Sequence, residues 1–369
     1  MEDIFCTAPW TSLFIETNGE VKACCASKIP YGNINTTSLV EIINNPIHQN
    51  IKQSLLNQTP HTNCDYCYKM EQLSSHSTRH WFNEFTPVEV KNIEQFELQM
   101  IDIRWSNHCN LRCLYCRPMN SSKIAEFLGI KEKLSNRSWQ EEILTLVKDN
   151  ILTIKEVYML GGEPLLIKEN SQLLDLLTDQ HITVITNLSL DNSKNEIYRK
   201  LLTKPNVNWE ISLEQTGKKF EFVRNGASWD RILCNIRELN ILDKRYSFAM
   251  QYCIYSALDL YSILQELRPI GTVVINSMIT PECMNVENHC ADIKQLALEE
   301  LDRVFADADL VEYLQEPNVV KLKEIYQHLN LETSTNKSKE FINYQTKNPG
   351  PLTFEQLWPT AWKIIQENR

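Results

Sequence analysis

The 369-residue chain has no apolar run of about 18 residues, the length that a membrane-spanning helix needs. Its start, Met1-Glu2-Asp3-Ile4-Phe5-Cys6, lacks the basic segment and apolar core that mark a secretory signal. No dense Lys/Arg block with interleaved aromatics is present, and 37 basic against 47 acidic side chains give a formal charge of −10. Sequence-independent binding to a phosphate backbone is driven by counterion release at Lys and Arg, so a nucleic-acid partner is disfavoured. There is no fixed-period repeat and no low-complexity tract. These absences leave a soluble globular protein, expected in the cytoplasm and away from membranes.

What the chain has in quantity is cysteine. Its 12 cysteines fall in clusters, which inside a cell reads as metal or redox ligands and not as a disulfide framework. The tightest group is Asn107-His108-Cys109-Asn110-Leu111-Arg112-Cys113-Leu114-Tyr115-Cys116. A cubane iron–sulfur cluster is normally held by four thiolates, so a loop offering three leaves one iron with an open position. Zinc is the alternative, but structural zinc wants four closed ligands, and the one further donor nearby, His108, is badly placed beside Cys109 to share its metal.

At 369 residues with 43% hydrophobic content, the chain suits one large α/β domain with an appendage, or two domains. From about Glu97, strand and helix patterns alternate, which predicts βα units around a parallel sheet. Strands are expected over Glu97–Trp105, Lys155–Leu160, Ile182–Thr186, Asn208–Leu213, Tyr246–Ile254 and Thr272–Ile275. Helical patterns lie between them, one with Ser138 as its N-cap. Upstream, Asn18-Gly19 between two alternating runs predicts a hairpin closed by a type I′ turn, with Cys24 near its base. A helix is expected over Ser38–Leu56, kinked or ended by Pro46, followed by Cys64 and Cys67. The last seventy or so residues, from about Glu299, read as mainly helical.

Gly161-Gly162-Glu163-Pro164 follows the second expected strand. Paired glycines let backbone approach a ligand closely, and the carboxylate and carbonyls there accept hydrogen bonds from an ammonium group. Together with the cysteine loop, this resembles the radical S-adenosylmethionine (SAM) enzymes. The resemblance implies an open (β/α)6 partial barrel with the cluster loop after its first strand, at the C-terminal end where barrel folds carry their sites. It implies a 4Fe–4S cluster on Cys109, Cys113 and Cys116, with the amino and carboxylate groups of SAM on the fourth iron. It assigns Gly161, Gly162 and Glu163 to the SAM amino group, Ser212 to the ribose, Arg224 to the carboxylate and Tyr115 to the neighbourhood of the adenine. Asn187, at the end of the third strand, either points into the same cavity or is a turn residue. Glu214 stands where relatives often have aspartate, and no role is assigned to it.

Cys6, twelve residues, Gly19, four residues and Cys24, completed by Cys64-x2-Cys67, resembles the SPASM and twitch domains that bind auxiliary iron–sulfur clusters. Four thiolates would close one auxiliary cluster, expected to be 4Fe–4S, with Cys25 as a rival to Cys24 and zinc as a competing occupant. Most relatives carry this module after the barrel; here it comes first. The expected organisation is residues 1–88 as the auxiliary domain, 89–298 as the partial barrel and 299–369 as a helical extension. The expected activity is reductive cleavage of SAM and hydrogen abstraction from an unknown peptide or small-molecule substrate. A low-potential donor such as flavodoxin or ferredoxin would supply electrons. The other classes are a methyltransferase or sulfur-inserting relative, separated by counting SAM equivalents and methylated products, and a non-catalytic zinc or iron–sulfur scaffold, which would not cleave SAM.

Overall fold

The computed structural model describes residues 4–73, 77–130, 139–277, 280–331, 335–347 and 352–368. Ser138, expected as an N-cap, lies outside them. The chain forms two compact units. One comprises Met1–Cys109, Pro118–Ile185 and Asn192–Asn208; the other comprises Asn110–Arg117, Thr186–Asp191 and Trp209–Arg369. No helix among the described residues is long and apolar enough to cross a membrane.

In the first unit, β1 (Ser12–Ile15), β2 (Glu20–Lys22) and β3 (Gly32–Asn33) pair antiparallel. β1 then pairs in parallel with β4 (Met100–Ile103), which is followed by β5 (Glu156–Met159) and β6 (His181–Thr186). The order is β3-β2-β1-β4-β5-β6. Thus the hairpin that lies between Cys6 and Cys24 is hydrogen-bonded into the parallel sheet. In the second unit, β7 (Val207–Ser212), β8 (Tyr246–Tyr252) and β9 (Thr272–Ser277) are parallel in that order. The architecture is open α/β: neither order returns to its first strand, and no barrel is closed among the described residues.

Side-chain alternation explains the layering. In the first unit Ile101, Ile103, Val157, Met159, Ile182 and Val184 are fully buried; in β7, Trp209 and Ile211 are buried, whereas Asn208, Glu210 and Ser212 alternate with them and stay half-buried. Period-two burial of this kind is the signature of a strand with one apolar face. Each expected parallel strand is present, and Glu97–Trp105 is shorter than expected. Glu97 and Gln99 do donate to the carbonyls of Trp10 and Thr11 (2.9 and 2.7 Å), but Ala8–Thr11 is a helical turn, so the ladder begins only at Met100 opposite Ser12.

Two local expectations are corrected. The hairpin turn is not type I′: of its residues only Gly19 has positive φ (+81°), Glu16 N–H donates to Glu20 O at 2.9 Å, and Thr17, Asn18 and Gly19 form the loop. A three-residue loop ending in a left-handed glycine needs one positive φ where type I′ needs two. Pro46 neither kinks nor ends a helix; it starts one. Leu39–Ile43, capped by Ser38, stops at Asn44, and Asn45 caps Pro46–Leu56 with proline in the first turn, where its missing N–H costs nothing. The expected C-terminal helices are present at Ala291–Ala306, Ala308–Leu329, Ser338–Lys347 and Pro359–Glu367.

Candidate functional site

The four early cysteines converge in the first unit. Cys6, Cys24, Cys64 and Cys67 line one cavity together with Tyr31, Asn63, Arg79 and Phe82. Cys6 precedes the Ala8–Thr11 turn, Cys24 follows β2, Cys64 ends the short helix Thr62–Cys64, and Cys67 lies in the next helix, Asp65–Leu73. Asn63 holds these segments together: its Oδ1 accepts from the backbone N–H groups of Lys28 and Ile29 (2.7 and 2.6 Å), and its Nδ2 donates to Ser27 Oγ (2.7 Å). Arg79 adds a buried bidentate pair with Glu71 (2.9 and 2.7 Å) and donates to Phe5 O at 3.0 Å, which anchors the backbone next to Cys6.

Burial pushes the thiols of Cys6 and Cys24 well up and that of Cys64 to about 11, so these groups are neutral until a cation draws their protons off. The hydroxyl of Tyr31, on the wall of the same cavity, is buried with no hydrogen-bond partner among the described residues. A cavity walled by four thiols and an unsatisfied O–H donor suits an occupant rich in sulfur acceptors, as an iron–sulfur cluster is. Cys25 is exposed and does not line the cavity. Among the described residues, no three Cys, His, Asp or Glu donors converge as the ligands of a single ion.

In the first unit, the glycines of Gly161-Gly162-Glu163-Pro164 meet the chain's own backbone. A Cβ on Gly162 would lie 2.2 Å from His108 O and 2.5 Å from Asn107 O, and one on Gly161 (φ +122°) 2.7 Å from Ser106 O. Gly162 N–H donates to Ser106 O (3.0 Å) and Glu163 N–H to His108 O (2.8 Å), so this turn clamps the residues just before Cys109. Glu163 is buried, and its carboxylate caps Leu165 N–H at 3.2 Å.

In the second unit, the loop carrying Cys113 and Cys116 is tied to the segment after β7. Arg112 N–H donates to Asn225 O (2.9 Å) and Leu114 N–H to Val223 O (2.8 Å). Asn187 is drawn into this support: its Nδ2 donates to Asn110 Oδ1 (3.0 Å), and its Oδ1 accepts from Ser189 Oγ (2.6 Å). Ser212 ends β7, half-buried.

The strongest polar contacts here involve a residue to which the sequence assigns no role. Glu214 is fully buried and takes Arg224 in a fork, Nε to Oε2 and Nη2 to Oε1, both at 2.8 Å. Tyr115 closes the network: its O–H donates to Glu214 Oε1 (2.7 Å) and accepts from Arg224 Nη2 (2.6 Å). The remaining guanidinium nitrogen, Nη1, points to Cys113 Sγ at 3.9 Å. Burial, the largest single influence, disfavours the charge on Arg224, but Glu214, Tyr115 and Cys113 together outweigh it and raise the pKa. The same burial keeps the Tyr115 phenol neutral. The signal available in the sequence was an acidic residue ten positions before Arg224, and only the fold makes it a partner.

The chain matches two family models: the iron–sulfur cluster-binding SPASM domain over residues 6–68, and the radical SAM superfamily over residues 103–250. The two matches mark a SPASM-type domain followed by a radical SAM domain along the chain. Among curated relatives it is similar to GTP 3',8-cyclases, with 24% identity over 148 residues to that of Clostridium botulinum and 29% over 149 residues to that of Peptoclostridium acidaminophilum. These alignments cover 38% of this chain, and it spans only 43% and 42% of the two relatives' lengths. Among solved structures it is similar to anSMEcpe with bound AdoMet (TM-score 0.42, 16% identity, 57% of this chain and 60% of that one). It is also similar to Streptococcus suis SuiB bound to the precursor peptide SuiA (TM-score 0.39, 18% identity, 68% and 62%).

Proposed function

We propose that this protein cleaves SAM reductively and abstracts a hydrogen atom from its substrate, with an auxiliary cluster as electron acceptor or substrate anchor. Cys109, Cys113 and Cys116 would hold the SAM-binding 4Fe–4S cluster, and Cys6, Cys24, Cys64 and Cys67 the auxiliary one. When bound, the cluster and SAM supply the one-electron chemistry that generates the 5′-deoxyadenosyl radical, while the protein supplies orientation and exclusion of water. A low-potential donor such as flavodoxin or ferredoxin would feed it.

The observation that carries this reading is the gathering of four cysteines from three separate segments onto one cavity, in a chain whose other cysteine loop offers three thiolates. Gly161 and Gly162 would serve SAM by seating the cluster loop, and Glu163 by its place on the same turn. Ser212 and Tyr115 would meet the nucleoside end, and Asn187 would support the loop from below. Because Glu214 and Tyr115 take Nε and Nη2 of Arg224, the SAM carboxylate would meet Nη1. The likeness to the cyclases, over 38% of this chain, supports radical SAM chemistry, and the substrate in this reading is a peptide or small molecule.

The test is anaerobic reconstitution followed by metal analysis and a SAM-cleavage assay with a chemical reductant. About eight irons, the sum of two four-iron clusters, and release of 5′-deoxyadenosine are expected. Stoichiometric zinc with no iron, or no cleavage by the iron-loaded protein, refutes the reading.

A further inference from the structure

The network around Arg224 has more built into it than recognition of a carboxylate requires. Here the Nε/Nη2 edge is clamped by Glu214, and Nη2 is bonded again to Tyr115, with every contact between 2.6 and 2.8 Å. Two of the three side chains are at most 5% exposed, Glu214 at 0% and Arg224 at 5%. What the clamp leaves is Nη1, which carries two N–H groups: one is directed at Cys113 Sγ, and the other remains for the SAM carboxylate.

We infer that Glu214 and Tyr115 are positioning residues that aim the Nη1–H of Arg224 at the Cys113 sulfur, and that this directed hydrogen bond raises the reduction potential of the SAM-binding cluster. The inference rests on the reading of Cys109, Cys113 and Cys116 as cluster ligands. Its physical basis is general: reduction adds one electron to the cluster, its sulfurs become more negative, and a hydrogen bond from a cation stabilises that state more than the oxidised one. Glu214 cancels the arginine's charge at longer range, so geometry more than net charge is predicted to control the effect. A donor of a given potential would then reduce a larger fraction of the cluster.

Charge-conserving variants separate direction from charge. Arg224→Lys keeps the cation but loses the planar fork, and Glu214→Asp keeps the anion but withdraws it by one methylene. The measurement is an EPR-monitored redox titration of the full-length, reconstituted protein without SAM. The relevant signal is identified by its change on adding SAM and its loss in Cys113→Ala. Arg224→Lys is expected to shift the reduction equilibrium at least tenfold toward the oxidised cluster, ~59 mV for a one-electron couple. Glu214→Asp is expected to shift it in the same direction by less. Potentials unchanged in both variants, at full iron content, overturn the inference. If both variants lose iron, Tyr115→Phe decides: it keeps the ring and all charges and removes one donor and one acceptor from the clamp, so a lowered potential supports the inference and an unchanged one overturns it. A signal that survives Cys113→Ala and ignores SAM in wild type refutes the cluster assignment itself, a result distinct from an unmoved potential.

Discussion

The two cysteine regions are built in opposite ways. Cys109, Cys113 and Cys116 fall within eight residues, and the surrounding fold has only to hold a short loop: the Gly161-Gly162 turn clamps its start, and Val223 and Asn225 pair with its later residues. Cys6, Cys24, Cys64 and Cys67 span 62 residues and meet only because a hairpin, a 3-10 turn and a helix are packed together by Asn63 and Arg79. A local motif tolerates loss of its occupant better than a site assembled from distant segments, since the latter draws part of its stability from the occupant.

The sharpest break of this comparison is the joint replacement of Cys109, Cys113 and Cys116 by alanine. All SAM cleavage is expected to vanish together with about half of the iron, while the circular dichroism spectrum stays close to wild type. Retained cleavage would remove the loop from its assigned role.

Replacing Cys6, Cys24, Cys64 and Cys67 together is expected to remove the other half of the iron and abolish product. SAM should still be cleaved in the absence of substrate, because a cluster saturated by four thiolates is not the one that chelates SAM. Gel filtration and circular dichroism come first here. Normal turnover by a folded variant would make the N-terminal cluster structural. Single variants sharpen the point: Cys24→Ala should lose auxiliary-cluster iron, and Cys25→Ala, outside the cavity, should keep it.

Gly162→Ala is expected to destabilise the protein by ~3 kcal/mol, the upper range for overpacking, because its Cβ would sit 2.2 Å from His108 O and backbone cannot swing away as a side chain can. Denaturant unfolding measures it, and a wild-type midpoint would contradict the clamp.

The smallest effect concerns Lys52, which is buried in the first unit with its ammonium donating to Gln95 O (2.9 Å) and lying 5.6 Å from the rings of Trp10 and Phe96. Burial lowers its pKa to about 8, against 10.5 ordinarily. The unfolded chain therefore binds more protons than the folded one between these values, so stability contributed by this residue rises as pH climbs from 8 toward 10.5. The slope over that window is at most ~1.4 kcal/mol per pH unit. Lys52→Met should flatten the pH dependence of the unfolding free energy over that window; identical slopes in the two proteins would show that Lys52 titrates normally.

Much of this was legible in sequence because the physics is local. Ile101/Ile103, Val157/Met159 and Ile182/Val184 alternate at period two, and a strand is the conformation that puts such residues on one face. The C-x3-C-x2-C loop is likewise readable, since ligand spacing within eight residues is set by the chain itself. The Asn18-Gly19 hairpin was legible but its turn type was not: an Asn-Gly pair serves more than one loop length, and the pairing of Glu16 with Glu20 decides which. Pro46 reads as a kink or an end because proline breaks a helix interior, whereas Asn45 ahead of it makes the same residue a start.

The sequence by itself determined the apolar strand segments and the three-thiolate loop, because each rests on residue type at short spacing. Only the tertiary structure decided that Cys24 and not Cys25 faces the cavity, that the hairpin joins the parallel sheet through β1 and β4, and that Glu214 holds Arg224. Those outcomes depend on which distant segments come to share a buried volume. A buried charge must find a partner there, and sequence distance says nothing about which one is in reach.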